Sequence, residues 1–292
     1  MSADWIGISN EFLSAAINPL GAELSSLRDA AGNELMTDGA PAWWTGRAPL
    51  LFPIVGTLVD DAYRLDGKAY SLPRHGFARR NLFELIEQAT DRIVLRLTDN
   101  DATRAAYPFA FTLDAAFALS GATLAVTITA TNCSDADMPA SFGFHPGFAW
   151  PLPHGAPRAA HRIVFEADET APLRILADGL LDAAPRATPV VGRTLALRDD
   201  LFEADALIWD RLASKSLTYG AEGFPGLTIG WENCPELGIW TKPGAPYVCI
   251  EPWAGIADPM GFAGEIWDKP GIVRIAPGAA QSWSMRIALT DG

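Results

Sequence analysis

Short stretches in which apolar and polar residues alternate, with turn signals between them, run through most of the chain. From Leu124 to Thr131 every second residue is apolar, and similar alternation occurs from Ile93 to Leu97 and from Trp283 to Leu289. A period of two is that of a β-strand with one face against a core. Helical periodicity is scarce, and segments such as Asp101 to Ala106 are predicted to form only a turn or two of helix. The chain is therefore predicted to be all-β.

Turn signals limit the lengths of these strands. Tyr63 to Tyr70 is predicted to form a hairpin, because alternating residues flank the pair Asp66-Gly67, which favours a tight two-residue turn. The segments Leu227 to Trp231, Leu237 to Trp240 and Tyr247 to Glu251 are short and bounded by glycine or proline. Many short strands at roughly 8–12-residue spacing are typical of a sandwich or barrel and not of βαβ units.

Nothing in the sequence indicates a division into domains. Its 292 residues are within the range of a single β-sandwich or barrel, a class that often exceeds the usual domain length. No internal repeat, charge block or long flexible tract interrupts it. The proline-rich segment Pro151 to Pro157 is short enough to be a surface loop. We predict one domain over residues 1–292.

The net charge limits the partners that we expect. A formal net charge of −13 and an isoelectric point near 4.7 argue against nucleic acid and against an anionic membrane surface. They also make a highly phosphorylated substrate less natural, although a local arginine cluster could override the sign of the whole molecule. The charge thus argues against a polyanionic partner.

The sequence features of secretion and of membrane insertion are missing. Met1 to Asn10 has neither a basic region nor an apolar core, so we expect no secretory signal. No apolar run approaches the ~18 residues of a membrane-spanning helix. Cys133, Cys234 and Cys249 are odd in number and unpatterned, which indicates reduced thiols and no cysteine-based zinc motif. We predict a cytoplasmic protein without membrane contact.

Two residues are candidates for acid–base chemistry. His145 lies between glycine and proline within an aromatic stretch from Phe142 to Trp150, and histidine is the side chain best suited to exchange protons near neutral pH. The alternative is a hydrogen-bonded core histidine. Glu251 lies at the predicted end of an apolar strand, directly before Pro252. Partial burial there would raise the pKa of its carboxyl group, unless the carboxylate is held by hydrogen bonds at the strand end.

Four further polar residues lie among glycine, proline and aromatic residues, namely His75, Asp205, Arg47 and Arg79. Each has an ordinary alternative: a turn histidine, a capping aspartate and two surface cations. The chain has no Gly-x-Ser-x-Gly elbow, no P-loop and no dinucleotide-binding glycine fingerprint. Its four histidines are not at metal-ligand spacing on a helix. We therefore expect no metal and no cofactor, although a two-histidine site assembled in space stays open.

The chain resembles the aldose 1-epimerase, or galactose mutarotase-like, family along nearly its whole length. Any one matching stretch is weak, but their order, and the pairing of a His-Pro with a Glu-Pro-Trp, make the set specific. The stretches are Pro19 to Leu24, Ala48 to Gly56, His75 to Arg79, Tyr107 to Phe109, Phe142 to Pro146, Phe202 to Ala206 and Ile250 to Trp253.

The resemblance implies a β-supersandwich, in which two large antiparallel sheets pack together and carry a substrate cleft. It also implies cofactor-free interconversion of the α and β anomers of a hexose. We expect the chain to be a monomer or homodimer. By the same resemblance His145 is the acid, Glu251 is the base, and His75 and Asp205 contact sugar hydroxyls. Well-studied galactose-acting members carry an arginine in a stretch that corresponds here to Gly56-Thr57-Leu58-Val59, which has none.

Without that arginine the identity of the sugar is not determined, and a different arginine must contact it. Arg47 is the first replacement and Arg79 the second.

A hexose-6-phosphate 1-epimerase is one alternative function, with arginines such as Arg47, Arg74, Arg79 and Arg80 around the phosphate. A non-catalytic carbohydrate-binding protein is another, although binding alone needs no acid–base pair. A glycosidase would require two carboxylates flanking the scissile bond. Cys249 is predicted to fill the core.

Overall fold

A computed structural model describes residues 5–292 of the chain. The first four residues, on which part of the expectation about a secretory signal depends, lie outside the described residues. Within the described range, no helix is both long and apolar enough to cross a membrane.

Strands make up most of the regular structure, and they are numbered here in chain order. They are β1 Ile6–Ser9, β2 Leu13–Asn18, β3 Glu23–Asp29, β4 Ala62–Leu65, β5 Lys68–Ser71, β6 Glu84–Gln88, β7 Arg92–Thr98, β8 Phe111–Ser120, β9 Thr123–Asn132, β10 Met138–Ala140, β11 Phe142–Gly143, β12 Gly147–Ala149, β13 Arg162–Phe165, β14 Leu176–Ala177, β15 Leu180–Leu181, β16 Thr194–Ala196, β17 Leu207–Trp209, β18 Ser216–Gly220, β19 Gly226–Glu232, β20 Glu236–Trp240, β21 Tyr247–Ala254, β22 Val273–Ile275 and β23 Ala280–Thr290. The α-helix α1 spans Asp101–Ala106, and short 3₁₀ helices span Val59–Asp61, Ala78–Arg80, Arg158–Ala160, Asp199–Phe202 and Ile266–Asp268.

Two large antiparallel sheets dominate the architecture. One has nine strands in the order β16-β13-β18-β19-β23-β9-β8-β7-β6, and the other has the order β11-β21-β20-β17, with β12 also paired to β21. Smaller sheets include the three-stranded β1-β2-β3 and the hairpin β4-β5. The expected all-β fold with two large antiparallel sheets is confirmed.

Several elements lie where the sequence pattern predicts them. The alternating segments correspond to β7, β9 and β23, and the predicted short helix is α1. In the hairpin, Asp66 and Gly67 both have positive φ, of 51° and 76° respectively. Two successive residues with positive φ are the mark of the tight turn that an Asp-Gly pair favours.

The two large sheets face each other across a continuous apolar core. Phe142 of β11 stacks on Trp283 of β23 with ring centroids 5.0 Å apart, and Phe165 of β13 meets Trp209 of β17 at 5.7 Å. All four side chains are at most 1% exposed. Each such contact joins the nine-stranded sheet to the five-stranded one.

Strand β21 separates this core from the opposite face of the five-stranded sheet. Val248 and Ile250 belong to the large core. Tyr247 and Cys249 point the other way, into a small aromatic cluster. Because successive side chains of a strand alternate between faces, Glu251 also lies on that opposite face. The outer face of the five-stranded sheet thereby carries the candidate site.

Candidate active site

A cleft with a volume of about 280 Å³ opens on the outer face of the five-stranded sheet. Five of the six residues predicted from the sequence line it: His75, Arg79, His145, Asp205 and Glu251. They come from four separate parts of the chain, and the fold brings them together.

Glu251 lies in the interior of β21, not at a strand end as the sequence predicted. The strand continues through Pro252, although a proline has no N–H to donate to a neighbouring strand. The carbonyl of Pro252 accepts a hydrogen bond from the N–H of Phe144, at 3.0 Å. In a β-strand the nitrogen and carbonyl of one residue point to the same side. The N–H that proline lacks would therefore face this side and not the neighbouring β20, so the pairing with β20 continues.

The segment that carries His145 interrupts the partner strand at the level of Glu251. Strand β12 pairs with β21 up to Cys249, and β11 resumes the pairing at Trp253. Between them the regular pairing is interrupted at His145, although the N–H of Phe144 donates to the carbonyl of Pro252 and the N–H of Ile250 donates to the carbonyl of Pro146. His145 is thereby placed beside Glu251. Its Nε2 lies 3.2 Å from Oε2 of Glu251. The imidazole also stacks on the ring of Trp44, with centroids 4.9 Å apart.

Burial shifts the two groups of this pair in opposite directions. It lowers the pKa of His145 to about 3, with smaller contributions from the charges of Arg79 and Arg74. It raises the pKa of Glu251 well above the ordinary carboxyl value, against the opposing charge of Arg74. A surrounding of low polarity favours the neutral form of each group. Between these two shifted pKa values the pair carries one proton.

His75 is held in an unusual backbone conformation at the edge of the cleft. Its φ is 66°, in the left-handed region that non-glycine residues rarely adopt. The N–H of Gly56 donates to Nδ1 of His75 at 3.1 Å, and Nε of Arg74 lies 3.1 Å from its Nε2. A neutral imidazole carries one ring proton and cannot accept both hydrogen bonds. Because burial and neighbouring positive charges keep the pKa of His75 well below its ordinary value, the ring is neutral and one contact must yield.

Asp205 also has a positive φ, of 81°. It follows the 3₁₀ helix Asp199–Phe202, and its Oδ1 accepts a hydrogen bond from the N–H of Ala206 at 2.8 Å. Strained backbone positions of this kind cluster at sites where a side chain must be held in one direction. Asp205 and Glu251, both named from the sequence, line the cleft, so the site contains two carboxyl groups.

Two arginines line the cleft, and one of them was not among the predicted sugar contacts. Arg79 was predicted, whereas Arg74 was considered only for the phosphate alternative. Nη2 of Arg79 donates to the carbonyl of Arg74 at 3.2 Å. Burial, together with the charges of Arg80 and Arg74, lowers the pKa of Arg79 to about 10. Among residues 5–292, none of these three arginines forms an ion pair with a carboxylate.

Arg47, the first choice for the sugar-binding arginine, does not line the cleft. Its Nη1 donates to the carbonyls of Ser25 and Thr37, at 3.2 and 2.6 Å, and its Nη2 donates to the carbonyl of Asp38. The guanidinium group therefore closes a loop by binding backbone oxygens. The prediction that Arg47 contacts the ligand is corrected to a structural role.

Sequence reasoning also missed the tryptophans that form the walls of the cleft. Trp44, Trp240 and Trp253 all line it. The ring of Trp253 requires a glycine at position 238 of β20, because a Cβ there would lie 2.5 Å from the ring. A glycine in the interior of a strand suggests such a close approach. No pattern in the sequence indicates that Trp44, far from Glu251 in the chain, covers His145.

Comparisons with a family model, with curated proteins and with solved structures each find similar proteins over nearly the whole chain. The aldose 1-epimerase family model matches residues 4–274. The chromosomal LacX protein of Lactococcus lactis is 31% identical over 284 residues, which cover 93% of this chain and 95% of that protein. A galactose mutarotase related enzyme from Lactobacillus acidophilus superposes with a TM-score of 0.91 at 32% identity, covering 98% of this chain and 97% of that one. A galactose mutarotase-like protein from Lactobacillus casei gives 0.91 at 27% identity, covering 98% and 100%.

Proposed function

The chain belongs to the aldose 1-epimerase family, and from that premise we propose that it interconverts the α and β anomers of a hexose without a cofactor. The observation that carries the proposal is the contact between His145 and Glu251, 3.2 Å apart and buried at the cleft. A buried proton donor and acceptor in contact can deliver and remove a proton in one concerted step.

Ring opening of a hemiacetal requires two proton transfers. Glu251 accepts the proton of the C1 hydroxyl while His145 gives a proton to the ring oxygen, so the bond between C1 and the ring oxygen breaks and a carbonyl forms at C1. Rotation about C1–C2 presents the other face of the carbonyl. The ring oxygen then attacks C1 as it returns its proton to His145, and Glu251 returns its proton to the new hydroxyl. No proton is gained or lost overall.

The single proton of the resting pair suits this cycle. It lies either on the carboxyl group, with a neutral imidazole, or on the imidazole, with a carboxylate. Ring opening needs the second form. The charge of Arg74 lowers the pKa of Glu251, which favours the carboxylate, but it also lowers the pKa of His145, which disfavours the imidazolium. General acid–base transfer of this kind contributes about 10²–10⁴-fold to a rate.

The other polar groups of the cleft would hold the sugar. With Nδ1 occupied by the main chain of Gly56, the ring proton of His75 is on Nε2 and can be donated to a hydroxyl oxygen. Arg74 is a flexible side chain and Gly56 is main chain, so the contact of Arg74 with His75 is the one that a sugar would replace. Asp205 would accept from a hydroxyl, and Trp44 or Trp253 would cover the apolar face of the pyranose.

Polarimetry of freshly dissolved α-D-glucose and α-D-galactose tests this proposal. We expect the protein to accelerate the approach to the anomeric equilibrium, and the His145→Ala variant to lose at least about 10²-fold in kcat while remaining folded. A binding protein without turnover would shift in thermal stability with sugar but accelerate nothing. Release of an aryl alcohol from an aryl glycoside would instead favour a glycosidase that uses Asp205 and Glu251.

A hexose-6-phosphate is the second candidate substrate, and the two arginines at the cleft favour it. In a chain of net charge −13, Arg74 and Arg79 line a cleft without a carboxylate partner within the described chain. Arginine binds phosphate through two parallel hydrogen bonds. Arg80 follows directly, although its Nη1 donates to the carbonyl of Gly76 at 2.9 Å.

Comparison of glucose with glucose 6-phosphate decides between the two substrate classes. If the phosphate is recognised, kcat/KM for the phosphorylated sugar exceeds that for the free sugar, and Arg79→Ala lowers the first value much more than the second. If the free sugar is the substrate, the variant changes both values alike. The anomers of both compounds can be followed by one-dimensional exchange NMR in the same buffer.

A further inference from the structure

Cys249 lies beside the acid–base pair but has no role in the proposed mechanism. It precedes Glu251 by two residues on β21, so both side chains point to the same face, and its thiol is fully buried. One ligand atom from each of His145, Cys249 and Glu251 lies within 4.8 Å of the other two. Within the described chain, Oε2 of Glu251 is buried and, apart from its contact with His145, has no hydrogen-bond partner. An imidazole, a thiol and a buried carboxylate oxygen therefore converge.

We propose that these three side chains form an inhibitory binding site for Zn²⁺, which competes with the sugar for the acid–base pair. The inhibition rests on the proposed function, whereas binding of the ion does not. Imidazole nitrogen, thiolate sulfur and carboxylate oxygen are the donors that zinc prefers in proteins, and three protein ligands leave a fourth position for water. Calcium and magnesium prefer all-oxygen sites, so the donor set selects for a transition metal.

The geometry needs little adjustment. Tetrahedral zinc with ligand bonds of about 2.0–2.3 Å places its ligand atoms about 3.3–3.7 Å apart. The contact of His145 with Glu251 is already 3.2 Å, and the ligand atoms of all three residues lie within 4.8 Å of one another. Closing to tetrahedral spacing is therefore a shift of about an ångström. His145 and Glu251 line the cleft, so an ion bound to both would occupy the acid–base pair that the hydroxyl and ring oxygen of a sugar need.

Charge balance favours the ion in this buried place. Zinc binds cysteine as the thiolate and glutamate as the carboxylate. The ion, the thiolate and the carboxylate then sum to zero charge, which avoids the cost of an uncompensated charge in a site of low polarity.

Calorimetry on the untagged full chain tests the site without reference to activity. Zn²⁺ is titrated in two buffers that differ in ionisation enthalpy, which gives the number of protons released. We expect one ion per chain, with protons released as the ligands bind it. Cys249→Ala should weaken binding at least about tenfold, the lower limit for disturbing a metal site. Cys133→Ala and Cys234→Ala are matched controls, because they remove an exposed and a buried thiol elsewhere, and both should bind as the wild type does.

Two further readouts identify the ligands. Co²⁺ should produce a thiolate-to-metal charge-transfer absorption that Cys249→Ala abolishes and the two control variants retain. In the anomerisation assay, Zn²⁺ should raise the apparent KM, and Cys249→Ala should keep its kcat while losing most of the inhibition. Binding that survives in Cys249→Ala, or that is lost in Cys133→Ala, would overturn the proposal. If the protein has no epimerase activity, the calorimetry and the cobalt spectrum still decide whether the site exists.

Discussion

Burial of the pair formed by His145 and Glu251 has a direct consequence for the pH dependence of turnover. A histidine with an ordinary pKa takes up a proton near pH 6.5. The lowered pKa of His145, about 3, moves this uptake to much stronger acid. Because the raised pKa of Glu251 keeps the shared proton in place, the form with one proton persists on the acid side of neutrality.

We therefore expect kcat/KM to stay level as the pH falls from about 7 to about 5, an interval in which an ordinary histidine becomes protonated. The measurement is a pH profile of catalysed anomerisation, corrected for the uncatalysed rate. Near-ultraviolet circular dichroism at each pH confirms that the protein is folded. An acidic limb with a midpoint near 6.5 would show that His145 titrates as an exposed residue.

Substitution of Arg47 should affect mainly stability, and substitution of Arg74 should affect mainly ligand binding. Arg47→Ala removes three hydrogen bonds to backbone carbonyls, each worth about 1.5–3 kcal/mol when the donor is charged. We expect it to lower the free energy of unfolding by at least about 1.5 kcal/mol and to leave KM unchanged. Arg74→Ala should raise KM with a smaller loss of stability. Urea unfolding and steady-state kinetics on both variants provide the comparison, and a raised KM in Arg47→Ala would return that residue to the ligand.

At the scale of the elements, the strands that sequence reasoning located well are those with one polar face. In β9 the side chains alternate between buried and half-exposed positions, and the sequence shows the same period. Strand β21 is buried at all eight positions, because the core covers one face and the cleft aromatics cover the other. Its alternation is invisible in the sequence, so its length, and the position of Glu251 within it, could not be predicted.

Gly238 of β20 provides a test of how one element shapes the cleft. A Cβ at this position would lie 2.5 Å from the ring of Trp253, and the ring cannot stay where it is. We expect Gly238→Ala to destabilise the protein by about 1–3 kcal/mol, as overpacking usually does, and to raise KM by displacing a wall of the cleft. Thermal unfolding and kinetics measure the two effects.

Gly230→Ala is the matched control for this substitution. Gly230 also lies in a strand, β19, but a Cβ there would meet its nearest atom at an ordinary 3.7 Å. We expect a smaller loss of stability and no change in KM. Equal effects of the two substitutions would show that the requirement for glycine in β20 has nothing to do with Trp253.

At the scale of the whole molecule, the contact between the two large sheets supports the site. Phe142 of β11 stacks on Trp283 of the nine-stranded sheet, and the segment that carries His145 begins directly after β11, at Phe144. The position of the imidazole therefore depends on the packing of a sheet that contributes no residue to the pair. Sequence reasoning found both His145 and Glu251 through their local settings, but long-range contacts of this kind leave no local pattern.

Trp283→Ala tests how much this contact between the two sheets contributes to stability. Removing a fully buried tryptophan costs about 3–5 kcal/mol, and we expect a loss of this size in urea unfolding. Trp43→Ala serves as a control, because Trp43 is 37% exposed and its removal should cost much less. A loss in Trp283→Ala no larger than in Trp43→Ala would contradict the account of how the sheets are joined.

The error at Arg47 has a more local cause. Its guanidinium binds the carbonyls of Ser25, Thr37 and Asp38, which lie 22, 10 and 9 residues earlier in the chain and surround it only once this part of the chain is folded. The positive φ of His75 and that of Asp205 are likewise set by surrounding structure. Sequence reasoning could name residue types suited to a sugar site, but the choice among arginines depended on the assembled fold.

The measurement that tests the central claim most directly is a double-variant comparison of His145→Ala, Glu251→Gln and the two combined. Residues that act as one unit show losses that are far from additive. We expect each single variant to lose at least about 10²-fold in kcat, and the double variant to lose no more than the worse of the two. Losses that multiply, or a fully active folded single variant, would contradict the account that one shared proton carries the reaction.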